Sequence, residues 1–176
     1  MFLFIISVIF GLVSVYDLCY RKIPDIFPIL IISISLGILV INGDWLEGLT
    51  TLGLAVATFF VLALLCMAGK LGGGDVKLLA ASVTLVGASS FFDFLILTAL
   101  AGGVLSLVYI VAFLTLKLLP TPPPAAAAPV LLSKTFKSRL HLLWRIERRR
   151  ILRRSSIPYG VAISGGSILS LAMLSI

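Results

Sequence analysis

The sequence predicts an all-α, polytopic integral membrane protein with about six transmembrane helices and its N-terminus outside. Three observations lead there. Sixty per cent of the 176 residues are apolar and only 12% are charged, against roughly 45–50% and about 25% in ordinary soluble domains, and the mean hydropathy is +1.21. A chain this short cannot bury so much apolar surface in a water-soluble fold, which excludes the soluble globular, disordered and disulfide-scaffold classes. Apolar stretches near the ~20 residues that a helix needs to cross ~30 Å of hydrocarbon recur at 1–16, 26–42, 48–68, 76–92, 94–117 and 157–176. Charge also sorts by side. With the N-terminus outside, all 14 Lys and Arg fall on the cytoplasmic side, and the outer connections keep only Asp44, Glu47 and Asp93, as the positive-inside rule requires.

Each stretch then has its own justification. The first is uncharged up to Asp17 and lacks a basic leading region, so it reads as a retained span rather than a cleaved signal peptide. The second and third flank the short acidic connection that holds Asp44 and Glu47. The fourth is short and begins with Lys77, whose ammonium has to snorkel to the interface. Without that crossing the basic residues 134–154 would lie outside, against the charge rule, so six crossings are counted. After the fifth span, the stretch from Pro120 to Pro129 holds five Pro among Thr and Ala, a low-complexity, semi-rigid spacer. Residues 131–154 follow with nine Lys/Arg and one Glu, and with Leu132, Phe136, Leu140, Leu143 and Ile151 at near-helical spacing. This suits an amphipathic helix on an anionic inner leaflet, or simply a loop that fixes topology. Because the basicity belongs to this one segment, no nucleic-acid partner is expected. The organisation is therefore 1–119 for helices one to five, 120–156 for a cytoplasmic spacer and basic segment, and 157–176 for the sixth helix.

Acidic residues carry the chemical information in such a chain, because a carboxylate costs about 2.5–3.5 kcal/mol at the membrane midplane and less near the interface. Asp44, Glu47 and Asp93 lie in outer connections and Glu147 in the basic segment. Asp17, Asp25 and Asp75 remain, all at cytoplasmic ends of spans. Asp75 closes the glycine-rich turn Gly72-Gly73-Gly74, where the backbone is free to take positive φ and to admit a close neighbour. Singly, Asp75 reads as a helix cap and Asp17 as a partner of Arg21 one turn later. Together, two carboxylates brought close at one membrane face would repel and share a proton, one acting as base and the other as acid, the arrangement that activates water in aspartic proteases. No rival constellation exists. His141 lies in the basic segment, no Ser sits in a nucleophile signature, and Cys19 and Cys66 lie in or at the ends of apolar spans with no visible base. Cofactor and metal sites are not expected, since paired Cys/His ligand sets are absent.

The motif Asp17 followed by Ile23-Pro24-Asp25, then Gly72-Gly73-Gly74-Asp75-Val76-Lys77, and finally Ser156-Ile157-Pro158-Tyr159-Gly160-Val161-Ala162-Ile163 resembles the type IV prepilin leader peptidases, membrane aspartic proteases of the GxGD type. The resemblance covers about 145 residues. It implies that Asp17 and Asp75 are the catalytic pair and that Gly72 and Gly74 shape the loop presenting Asp75. Ile23 and Pro24 would close the turn after Asp17, since Pro stops the preceding helix. Lys77 matches the motif's basic position and reads as an interface anchor. Asp25 matches a position that is Asp or Asn in the family, a structural role, and Pro158 and Gly160 would be helix-start and packing residues.

The family's long members carry an N-terminal cytoplasmic insert with cysteine pairs, associated with methylation. Here span one runs straight into the Asp17 motif without any CxxC. The chain therefore resembles the short, protease-only form of tight-adherence (Flp-type) pilus systems, and methyltransferase activity is not expected. The implied substrate is a prepilin or pseudopilin with a short basic leader ending in Gly, cut at the cytoplasmic face of the bacterial inner membrane. The implied surroundings are the bilayer; anionic lipid at 131–154 is read from the basic pattern alone, since residues 120–154 match no motif of the family and their role stays open. The alternatives are a preflagellin or presenilin-like GxGD protease, a non-enzymatic membrane scaffold, or a proton-coupled transporter; a transporter would favour an internal repeat of spans, and the sequence has none.

Overall fold

The computed structural model describes residues 2–118 and 157–174. Among them are six helices and no strand: α1 Phe2–Tyr20, α2 Ile26–Asn42, α3 Trp45–Met67, α4 Gly73–Val86, α5 Phe91–Leu118 and α6 Tyr159–Leu174. The chain divides into two units, residues 1–103 with 158–176, and residues 104–157. In the described residues the second unit is the C-terminal half of α5. The basic segment 131–154, with His141 and Glu147, lies outside the described residues.

Sequence punctuation accounts for each boundary in the first unit. The first helix runs past the expected end at residue 16, so Asp17 belongs to its last turn. The Arg21 N–H donates to the Asp17 carbonyl at 2.9 Å before Arg21 turns left-handed (φ 54°), and Pro24 forbids continuation. Helix α2 stops at Gly43, left-handed at φ 75°, whose N–H donates to the Leu39 carbonyl. Two residues later α3 starts, and its buried Gly48 faces the Leu39 side chain, which sets the close approach of the α2–α3 hairpin. The end of α3 is a Schellman motif: Gly69 N–H to Cys66 carbonyl at 2.9 Å and Lys70 N–H to Leu65 carbonyl at 3.1 Å, with Gly69 at φ 69°.

Helix α4 corrects the expected fourth span. The apolar run 76–92 is broken at Gly87 (φ 89°), and the Ala88 N–H is taken by the Thr51 hydroxyl at 2.9 Å. With 14 residues, α4 is about 21 Å long, short of the hydrocarbon thickness. It is the central element, buried on most sides (Val76, Leu78, Leu79, Ala80, Ala81, Ser82, Val83, Val86) and packed against α2, α3 and α6, while α6 also packs on α1. The glycine run differs from expectation too. Gly73 and Gly74 are the first residues of α4, and none of the three glycines has positive φ.

Three helices, α1, α3 and α5, are long and apolar enough to cross a membrane, and α2 and α6 are shorter apolar helices. Their outer faces expose Phe4, Leu12, Phe60, Leu64, Ile96 and Leu100, a surface that water would penalise and lipid would not. The interior is an apolar core around Phe10, Ile31, Leu78 and Phe94 that also holds small polar residues: Ser82, Thr98, Ser164, Ser167 and Ser170 are buried. Ser82 and Ser167 return their hydroxyls to the carbonyls of Leu78 and Ile163. Gly166 meets the Thr98 backbone and hydroxyl, so α5 and α6 approach closely, as small residues permit between membrane helices.

Candidate active site

The up-and-down course of α1 to α4 gathers the ends that carry Asp17, Asp25 and Asp75. Asp44 and Glu47 belong to the opposite end, where a Glu47 carboxylate oxygen lies 3.6 Å from the Cβ position of Gly87. Glu47 and Asp93 sit in the first turns of α3 and α5, where negative charge suits the helix dipole.

Asp17 is 5% exposed. One of its carboxylate oxygens, Oδ2, accepts the backbone N–H of Gly160 at 2.8 Å, and the Val161 N–H faces the same carboxylate from the first turn of α6. Arg21 brings a positive charge from its own turn. Pro158 is fully buried and starts α6, its carbonyl accepting the Val161 N–H at 3.3 Å, so it fixes where these amides point.

Asp75 is the third residue of α4, and its carboxylate turns back toward the N–H of Gly72, the residue that caps the helix. This is the returning half of a capping box; the cap itself is Gly72, and Asp75, expected as the cap, lies three residues inside the helix. It lies at the interfacial end of α4, ahead of the apolar run that starts at Val76. Burial pushes its carboxyl up to about 6 from an ordinary 3.8; the charge of Asp17 adds to the rise and the Gly72 N–H opposes it. The two carboxylates are therefore within electrostatic reach of one another.

Ile23 joins the two halves. A Cβ on Gly74 would stand 3.2 Å from the Ile23 Cβ, and one on Gly160 would stand 3.0 Å from the Ile23 Cδ1. The buried Ile23 side chain is thus wedged between the glycine next to Asp75 and the glycine that holds Asp17. Of the residues singled out in the sequence, Asp17, Ile23, Gly72, Gly74, Asp75, Pro158 and Gly160 come together, and Pro24 turns the chain between α1 and α2.

Lys77 and Asp25 do not join them. The Lys77 ammonium bridges both Asp25 oxygens at 2.8 and 2.9 Å, tying the start of α2 to the second turn of α4. Lys77, expected as an interface anchor, is thus half of an exposed ion pair. Sequence reasoning missed the pairing, because nothing at a spacing of 52 residues announces that these helix ends meet. Cys19 and Cys66 are not joined in a disulfide. Among the described residues no three His, Cys, Asp or Glu side chains group as metal ligands would.

The sequence model of the type IV leader peptidase family matches residues 3–107, more than half of the chain. The chain belongs to that family. The matched part of this leader peptidase holds both aspartate motifs, and the Ser156–Ile163 segment lies beyond it. No curated protein and no solved structure matches the chain. Family membership makes it a type IV leader peptidase, and its apolar helices suit a membrane protein.

Proposed function

We propose that this leader peptidase is an aspartic endopeptidase with Asp17 and Asp75 as its catalytic pair. It removes the short basic leader of prepilin-like proteins at the cytoplasmic face of the bacterial inner membrane, for pilus assembly or secretion. The observation that carries the reading is the convergence of two carboxylates from separate helices on one end of the bundle, both withdrawn from full solvent exposure and joined through Ile23, which lies against Gly74 beside Asp75 and against Gly160, the partner of Asp17. Such a pair holds one proton between its members and titrates as a unit.

The chemistry follows from that shared proton. The ionised aspartate takes a proton from water as the water oxygen bonds to the scissile carbonyl carbon, and the protonated aspartate gives its proton to the carbonyl oxygen. When the tetrahedral diol collapses, the C–N bond breaks. The first aspartate passes its proton to the departing amine, and the second recovers one from the diol. No cofactor enters.

The topology proposed is six crossings with the N-terminus outside, organised as 1–119, 120–156 and 157–176. Residues 76–92, from Val76 in α4 through the connector to α5, count as the fourth crossing, and Asp75 lies just outside it. Enclosed by α2, α3 and α6, α4 need not match lipid thickness, since irregular backbone at membrane depth is tolerated where protein surrounds it. The 131–154 segment sits on anionic lipid, which offsets its repulsion of a basic leader. The short, Flp-type form is favoured over the long one by the direct run of α1 into the Asp17 turn.

The test is proteolysis in proteoliposomes of a tight-adherence prepilin against a preflagellin, read by mass spectrometry of the new N-terminus. Cleavage of the prepilin directly after the leader Gly, with an unmethylated product, is expected. Preferential cleavage of the preflagellin would move the chain to that branch.

A further inference from the structure

We propose that Gly160 is a positioning residue for Asp17, acting through its backbone N–H and through its lack of a side chain. The inference rests on the reading of Asp17 as a catalytic carboxylate and adds a residue 143 positions away that fixes where its oxygens point.

Three observations converge. The Gly160 N–H donates to Asp17 Oδ2 at 2.8 Å in a buried setting, where a hydrogen bond to a carboxylate is strong and its loss is not made good by water. A Cβ at 160 would stand 2.8 Å from that oxygen, 3.1 Å from the Asp17 Cγ and 3.0 Å from the Ile23 Cδ1. The approach that makes the hydrogen bond is therefore open to glycine alone. And Gly160 lies in the first turn of α6, where free N–H groups and the helix dipole favour a negative charge. The atom in the way of a Cβ is the far end of the Asp17 side chain. Alanine at 160 therefore swings the carboxylate away from the amide rather than unfolding the helix.

Arg21 is the charged group acting on Asp17, and Asp17 is the one acting on Asp75; Gly160→Ala leaves Arg21 and Asp75 in place. A change in the pair's behaviour then reports the lost N–H and the moved carboxylate. Gly165, on the same helix, has nothing within 4 Å of its Cβ position and is the matched control.

The experiment measures kcat, KM and the pH–rate profile of leader cleavage for wild type, Gly160→Ala, Gly165→Ala and Asp17→Asn in proteoliposomes, with thermal unfolding of each. For Gly160→Ala, kcat falls on the order of 10²-fold, as for a misplacement of about 1 Å, while KM stays within about twofold. The acid limb of its profile moves to higher pH, and Gly165→Ala matches wild type. If Gly160→Ala unfolds at lower temperature, Ile23→Val in the same chain removes the Cδ1 collision but not the carboxylate collision. Restored unfolding temperature without restored kcat supports the inference. Restoration of both overturns it, as does wild-type kcat and profile in Gly160→Ala when Asp17→Asn is inactive. An active Asp17→Asn would instead refute the reading of Asp17 on which the inference rests.

Discussion

Replacing Asp75 by asparagine should make the protein more stable as it makes it less active, and the gain should depend on pH. The carboxyl of Asp75 is raised from 3.8 to about 6 in the folded protein, by burial first and by the charge of Asp17 second. For an acid raised on folding, the folded state holds the proton more tightly than the unfolded chain. Below pH 3.8 both states are protonated and the group costs nothing. Between 3.8 and about 6 the wild type loses stability as pH climbs, and above that window the loss is complete. At about 1.4 kcal/mol for each pH unit, the rise corresponds to about 3 kcal/mol. Asparagine does not titrate and keeps an oxygen for the Gly72 N–H, so Asp75→Asn should recover most of this above pH 7 and nothing near pH 3.5. On a scale of roughly 2–4 °C per kcal/mol for a chain of this size, the unfolding midpoint at pH 7.5 should rise by about 6–12 °C. Thermal unfolding in nanodiscs at both pH values is the assay. An equal shift at the two pH values, or a lower midpoint at pH 7.5, would refute the account of Asp75 as a buried carboxyl pressed by Asp17.

Three further outcomes follow from the same structure. Lys77→Met removes an ion pair whose members are 47% and 63% exposed; it should cost less than about 1 kcal/mol, and the cost should vanish in high salt, as chemical denaturation with and without added salt would reveal. Gly74→Ala places a Cβ 3.2 Å from Ile23 Cβ and 3.5 Å from the Ile23 backbone N and O, which pushes Asp75 away from Asp17. Its cleavage rate should drop about tenfold or more, whereas Gly53→Ala, with nothing within 4 Å, should cleave at the wild-type rate. Cleavage should be faster in anionic than in zwitterionic vesicles, because anionic lipid neutralises residues 131–154; equal rates would remove that segment from the account.

What the sequence disclosed follows from what it encodes locally. Helix α2 is bounded as expected at 26 and 42 because Pro24-Asp25 and Gly43 act on the chain within a residue or two. The fourth helix ends before residue 92 because its break is a positive backbone φ at Gly87, followed by the Ala88 N–H held by the Thr51 hydroxyl of α3, and hydropathy registers neither. Asp17 and Asp75 stood out because a carboxylate at a membrane face is costly enough to need a reason. Ile23 and Gly160 were named through the resemblance alone, and Lys77 and Asp25 by their charge as well. Their contacts were not legible, since the Gly160 amide's bond to Asp17, the Ile23 wedge and the Lys77–Asp25 bridge exist only once separate helices pack. The glycines before Asp75 were legible as a place of close approach and misread as a place of positive φ. Gly74 admits Ile23 from within the helix.

The central claim is that two aspartates at one end of the bundle hydrolyse the leader peptide bond. Its most direct test is leader cleavage by wild type, Asp17→Asn, Asp75→Asn and Asp93→Asn, with Asp93 in the first turn of α5 as the control. The account predicts that Asp17→Asn and Asp75→Asn each abolish cleavage after the leader Gly without loss of folding, and that Asp93→Asn cleaves normally. Wild-type cleavage by either Asp17→Asn or Asp75→Asn would contradict it.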